Sequence, residues 1–365
     1  MKHIYFTVTN DLTYDQRMHR ICHSLATNGY KVTLVGRKLK TSIRLPSKTY
    51  EQKRLTCFFN KGFLFYSEYN FRLFVYLLTK RMDALCSIDL DTILPGLLIS
   101  KLKSVPRIYD AHEYFTELKE VRTRPFVQLF WSQVERLCVP RFTYGYTVSE
   151  GLAKEFKERL GRDYSVIRNL PVLSPIKLHP NGEKYLFYGG AVNEGRGFEY
   201  LIPAMKEIHY KLVVVGDGNF MEQLRALIQK YGVQDKVELK GMLSPDELRA
   251  YSEKATLGIA LAEKEGINQY MALPNKFLDY IHTALPQVTM NYPEYVRINA
   301  VYKVAVLLHE LSVTEIAQAV NETMNNEDLL EEMRRNCLVA REVLNWKEEE
   351  KHLLSFYTNL LLRSA

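Results

Sequence analysis

The sequence predicts an α/β protein made of two Rossmann-like, doubly wound parallel-sheet domains. Two observations carry this expectation. Short β-branched apolar runs alternate with longer amphipathic stretches, the pattern of βαβ units. The alternation also occurs twice, before and after a proline-containing break. A length of 365 residues, about twice a single domain, agrees with it.

Lys2 to Val8 reads as the first strand, Asp15 to Asn28 as a helix stopped by Gly29, and Lys31 to Gly36 as the second strand. Asp83–Ile88, Pro106–Asp110 and Thr143–Ser149 add strands, with helices over Phe126–Cys138 and Glu150–Leu160. The segment Pro171–Glu183 holds three prolines and little periodicity. It separates a domain over 1–170 from one over 171–345. In the second series KYLFYGG, KLVVVGDG, KVELKG, TLGIAL and QVTMN read as strands. Ser244 and Pro245 have the chemistry of a helix N-cap and first helical residue. The tail, 346–365, reads as an amphipathic helix expected to pack back toward the N-terminal domain. Doubly wound sheets bind ligands at the C-terminal ends of their strands. Two such units facing each other imply a cleft.

Composition excludes several classes. With 18 Gly and 13 Pro the chain is neither collagenous nor of low complexity. The longest apolar runs, near Phe71–Thr79 and Thr92–Ser100, are about half of the roughly 18 residues a membrane span needs. The N-terminus meets polar residues too early for a signal peptide. Five scattered cysteines without CxxC spacing fit reduced thiols in a cytoplasmic protein. Charge is uneven: residues 1–170 carry 28 Lys+Arg against 16 Asp+Glu, whereas the remainder carries 21 against 26. The basic half is either a solubilising surface or one that meets a phosphate or an anionic membrane. No nucleic-acid motif accompanies the charge, so nucleic acid is not an expected partner. An aromatic cluster (Phe58, Phe59, Phe63, Phe65, Tyr66, Tyr69, Phe71, Phe74, Tyr76) lies near Arg44, Lys48, Lys53, Arg54 and Lys61. It is read either as a packed strand and helix face or as a peripheral contact with anionic lipid on the cytoplasmic face of the inner membrane.

Several short motifs bear chemistry. Gly189-Gly190-Ala191-Val192-Asn193-Glu194-Gly195-Arg196-Gly197 follows a strand; its glycines admit close backbone approach, and Arg196 can neutralise a diphosphate. A plain glycine-rich turn with a surface arginine is the alternative. VVVGDGN lacks the GxGxxG fingerprint because Met221 stands at its sixth position, which disfavours a dinucleotide site. Asp89-Leu90-Asp91 is a DxD; helix capping by Asp91 is a simpler reading than metal binding, and no metal is expected. YDAHEYF places His112 at a strand end with Asp110 and Glu113 beside it to tune the imidazole. In ALPNKFLDYIHTALPQVTM, Pro274 sets a helix start with Asn275 and Lys276 in its first turn. A lysine there opposes the helix dipole, a conflict an anionic ligand would resolve.

These pieces, in this order, resemble GT-B glycosyltransferases of family GT4 (glycosyl transferases group 1), in their bacterial form. YGGAVNEGRGFEYLIPAM, LVVVGDGN, VELKGMLSPDEL and PNKFLDYIHTALPQV resemble the donor domain. TNDLTYDQRMHRICHSLATNGYKVTLVGR, DLDTILPG, YDAHEYF, TVSEGLA and VIRNLP resemble the acceptor domain. The resemblance implies retaining, metal-independent transfer of a sugar from a UDP- or GDP-sugar to a glycan or polyprenyl-linked acceptor, with the leaving phosphate serving as base and no cofactor required. It implies His112, Arg196 and Lys276 as catalytic residues. Donor contacts would come from Gly189, Gly190, Gly216, Leu243, Pro274, Asn275 and Asp279, and acceptor contacts from Asp11, Tyr14, Arg17, Asp89 and Glu113. Asp279 matches the second glutamate of the E-x7-E motif, whereas Met271 stands where the first is expected and Ala191 where a basic residue is. A non-catalytic nucleotide-sugar-binding module, or a GT-B-shaped epimerase, is the alternative reading.

Overall fold

The computed structural model describes residues 1–177 and 183–362. Residues 178–182, in the predicted break, lie outside the described residues. The chain divides into two compact units: Met1–Asn169 with Gly266–Asn268 and Lys347–Ala365, and Leu170–Glu265 with Gln269–Trp346.

The first unit is built on seven parallel strands: β1 (His3–Thr7), β2 (Lys31–Lys38), β3 (Glu51–Thr56), β4 (Ala84–Ile88), β5 (Arg107–Ala111), β6 (Tyr144–Thr147) and β7 (Ser165–Val166). Their spatial order is β3-β2-β1-β4-β5-β6-β7. The second has six: β8 (Tyr185–Gly189), β9 (Lys211–Val215), β10 (Val237–Gly241), β11 (Leu257–Ala260), β12 (Gln287–Met290) and β13 (Ala305–Leu308), in the order β10-β9-β8-β11-β12-β13. In each sheet the order reverses beside the first strand. The switch point, where doubly wound folds bind ligands, therefore lies between β1 and β4 and between β8 and β11.

Central strands are buried on both faces, which explains their unbroken apolar runs. Ile4 and Phe6 are buried in β1, and Val32, Leu34 and Val35 in β2. Three strands escape the reading by pattern. β3, EQKRLT, pairs only with β2 and leaves alternate residues in solvent. β7 has two residues, and β13 is the opposite edge of the second sheet. Edge strands need only half the apolar content of central ones, so their signal is weak.

Helix ends follow their capping residues. Asp15 accepts the Met18 N–H at the start of Gln16–Thr27. Ser244 and Glu247 form a reciprocal capping box on Pro245–Lys254. The expectation for Asp91 is corrected: its carboxylate accepts the Thr9 hydroxyl, and the helix Ile93–Lys103 has Thr92 at its N-cap with no side-chain cap bond. All five cysteines are unpaired, and Cys22, Cys86, Cys138 and Cys337 are buried. In the first unit the helix Trp346–Leu362 inserts Tyr357, which lies 6.0 Å from Phe6 ring to ring and shares a 3.1 Å hydroxyl contact with Tyr146.

In the second sheet the turns after β8 and β9 touch. Gly216 has φ +143°, and a Cβ there would lie 1.8 Å from the Gly190 carbonyl oxygen. Both Gly190 and Gly216 spend their amides locally, on the carbonyls of Val215 and Gly241. Gly216→Ala is expected to cost about 2–4 kcal/mol through strain and overpacking. An unchanged urea midpoint would contradict that packing.

Candidate functional site

The switch point of the first unit gathers charge from four segments. Arg17 lies in the first turn of the helix after β1, yet only 5% of its side chain is exposed. Its guanidinium donates to Asp110 Oδ1 at 3.1 Å and to the Ile167 carbonyl at 2.9 Å. Asp110, at the end of β5, is fully buried. Burial would raise its carboxyl, but the charges of Arg17 and His112 outweigh that and hold it low. The other oxygen, Oδ2, meets His112 Nε2 at 3.1 Å. Burial opposes a charged imidazole, but the Asp110 charge and hydrogen bond, helped by Asp89, push His112 up to about 9. At neutral pH His112 is an imidazolium oriented by Asp110.

Asp89 holds the same loop from below. It has φ +53°, in the left-handed region, and its Oδ1 accepts the His112 backbone N–H at 2.9 Å. Burial, with Asp91 adding to it against His112, raises its carboxyl to about 8. Asp91 is raised to about 6, again mainly by burial. Asp11 accepts the Thr13 N–H and the Ser42 hydroxyl and lies 3.9 Å from Arg54. Tyr14 and Glu113 point into solvent.

The switch point of the second unit carries the opposite sign. Lys276 is in the first turn of the helix Asn275–His282, after the extended Pro274. Its Nζ is buried without a hydrogen-bond partner and lies 3.0 Å from the centroid of the Tyr188 ring. Burial, then the nearby charge of Arg196, holds the amine well below its ordinary value; Asp279 opposes them weakly. The site therefore contains a desolvated amine beside a guanidinium at a helix N-terminus, an arrangement each cation disfavours. A Cβ on Gly190 would lie 3.7 Å from Lys276 Cε, so the loop after β8 and Lys276 border the same space. Gly195 sits against Gln269, whose Oε1 is also buried and unsatisfied. Tyr280 pins the neighbouring strand ends: its hydroxyl accepts the Gly189 N–H at 3.0 Å and reaches the carbonyls of Phe187 and Ile259. Leu243 packs on the small cluster that contains Phe187 and Val215. Asp279 and Asn275 are exposed on the helix.

Residues 172–338 match the family model described as glycosyl transferases group 1. The match falls on the second unit, which resembles a group 1 glycosyltransferase domain. The whole chain has the GT-B fold. Sucrose-phosphate synthase from Thermosynechococcus elongatus superposes with a TM-score of 0.83 at 13% identity, each chain covered in full. HepE of Anabaena, solved with UDP, gives 0.73 at 13% identity over 98% of this chain and 100% of that one. The lipopolysaccharide outer core galactosyltransferase WaaB gives 0.67 at 12% identity, again with both chains covered in full. No curated protein matches the sequence.

The structure places the glycine loop beside Lys276 and within reach of the Arg196 charge, while Gly190 and Gly216 serve chiefly to let two loops touch. Arg17 is the principal correction. Its charge is consumed inside the first unit, so it positions Asp110 and does not meet an acceptor. Asp89 is likewise engaged, holding the His112 backbone. Sequence reading misses Tyr188, Gln269 and Tyr280. Tyr280 has one signal, the glycine at 258, where a Cβ would come within 2.6 Å of its ring.

His112 has a folded value near 9, above its ordinary 6.5, so its contribution to stability is complete below about pH 6.5 and is lost as pH rises through about 9. Asp110→Asn should drop the His112 titration, followed by NMR, by more than about one unit. It should also destabilise the fold by about 3–5 kcal/mol, because Arg17 is left buried and unpaired. A His112 titration unmoved by that change would refute the coupling.

Proposed function

We propose that the chain is a retaining, metal-independent glycosyltransferase that moves a sugar from a UDP- or GDP-sugar to a glycan or polyprenyl-linked acceptor. The observation that carries the reading is the buried, unpartnered Lys276 amine beside Arg196 at the glycine loop of the unit that the group 1 family model matches. A diphosphate is the anion that satisfies both cations and the helix dipole together. HepE, another GT-B protein, has been solved with UDP and with UDP-glucose, which supports a uridine nucleotide in the first place.

In this reading the second unit takes the donor and the first takes the acceptor. Arg196 and Lys276 stabilise charge on the departing diphosphate, and the acceptor hydroxyl attacks from the face that the phosphate leaves, giving up its proton to a phosphate oxygen. His112, kept cationic by Asp110, is the first unit's candidate for stabilising negative charge as the bond breaks. Asp279 and Asn275 reach the nucleotide, and the loop at Leu243 borders the base. Tyr14, exposed after the first strand, and Asp11 and Glu113 of the same unit are this reading's acceptor contacts. The setting is the cytoplasm, in surface polysaccharide or glycolipid synthesis at the inner membrane.

The test is calorimetric binding and turnover with a panel of UDP-, GDP-, ADP- and dTDP-sugars. Arg196→Ala and Lys276→Met should each weaken donor binding by about 10–100-fold, the value of a charged hydrogen bond. Binding without any transfer or hydrolysis, with Met271 in the place of an acid, would favour a non-catalytic module instead. Loss of neither binding nor turnover in both variants would overturn the assignment of the diphosphate site.

A further inference from the structure

The helices that follow β3, β4 and β5 lie on one side of the first sheet. The strand order reverses after β3, and right-handed crossovers then place their helices together. Gly62–Leu78 packs against Ile93–Lys103, which packs against Pro125–Cys138. Lys103 Nζ donates to the Leu78 carbonyl at 2.9 Å, and Phe63 meets Phe130 edge-on at 5.8 Å. Each helix buries an apolar stripe on the sheet, with Tyr69, Ile99 and Trp131 among the covered side chains.

A helix with a buried inner stripe ordinarily turns a polar stripe outward. These three turn apolar side chains outward as well. Phe71 and Val75 stand one turn apart on the first, Leu94, Leu98 and Leu102 four apart on the second, and Phe126 and Leu129 on the third. Phe71 is 69%, Leu98 51% and Phe126 89% exposed. Single exposed apolar residues are normal, but a patch continuous across three neighbouring helices marks an interaction surface.

The exposed charge on the three helices themselves has one sign, while Glu120 is exposed on the neighbouring turn Lys119–Arg122. Lys61, Lys101, Arg124, Arg136 and Arg141 are exposed on these helices or at their ends. The two acids on the helices are otherwise engaged: Glu68 accepts the amides of Phe58 and Phe59 and pairs with Arg72, and Glu135 is buried against Thr116. A second copy of the chain would set one basic face against another. An anionic bilayer offers an apolar interior beneath a negative surface and complements both features. No described helix is long and apolar enough to cross a membrane.

We infer that this three-helix face docks on the surface of an anionic lipid bilayer, lying in the headgroup layer. This face shares Phe71 and Lys61 with the aromatic and basic cluster expected from the sequence, whereas Arg54 of that cluster is committed to the Asp11 carbonyl and the Thr13 hydroxyl. The inference does not rest on the glycosyl-transfer reading, and its test needs no donor.

The full chain is sedimented with vesicles of phosphatidylcholine alone and of phosphatidylcholine with about a third phosphatidylglycerol. Binding is expected to the mixed vesicles and to weaken with salt. Phe71→Ser/Leu98→Ser/Phe126→Ser should weaken it by roughly tenfold or more with little change in the thermal midpoint, since these side chains lie mostly in solvent. Lys101→Glu/Arg136→Glu should release the chain at lower salt. Absence of binding, or equal binding by the triple variant, overturns the proposal. So does a dimer in gel filtration that the triple variant makes monomeric, because the face then belongs to a second copy.

Discussion

The buried ion pair between Arg17 and Asp110 organises the first unit. It joins the helix after β1, the end of β5 and the chain beyond β7, segments far apart in sequence, at the ends of their strands. Without Arg17 the fully buried carboxyl would be pushed up by desolvation; without Asp110 the guanidinium would have no counter-charge. Each makes the other tolerable, and a buried pair of this kind is worth more as a specifier of geometry than as a source of stability. Its product is the orientation and charge of His112. One oxygen of Asp110 serves the arginine and the other the imidazole, so the state of the histidine is set from beneath the loop that carries it.

The two units repeat one strand order but fill their switch points with opposite chemistry. The first collects carboxylates around one imidazolium, and burial drives two of them, Asp89 and Asp91, toward the proton-bound form near neutrality. The second collects cations and glycines, and leaves a lysine amine and a glutamine oxygen without hydrogen-bond partners. The fold decides where a ligand goes, and these residues decide which ligand. The same separation holds on the outer surface, where the topology groups three helices and the sequence makes their outward faces apolar.

Most of the fold is legible in the sequence because central strands and capped helices carry local signals. Lys2–Val8, the Asp15 cap, the Ser244–Glu247 box and the glycine loop are each read from a few neighbouring residues. The site is less legible. Lys276 could be singled out because its conflict with the helix dipole is local. Arg17 could not be read correctly, since what neutralises it lies 93 residues away. Tyr188 and Gln269 gave no pattern at all, and Tyr280 only the glycine at 258 that makes room for its ring; their roles arise when loops from different strands meet. Strand β3 went unread because an edge strand in solvent resembles a charged loop.

The Lys276 amine has a consequence for how the second unit meets any ligand. Burial and the charge of Arg196 both oppose the Lys276 ammonium, so an anion placed against it relieves the desolvation and the like-charge contact together. The contact that a ligand would complete is one the protein leaves unfinished on its own, and the strength of binding at this loop therefore depends on how well the anion answers two cations at once.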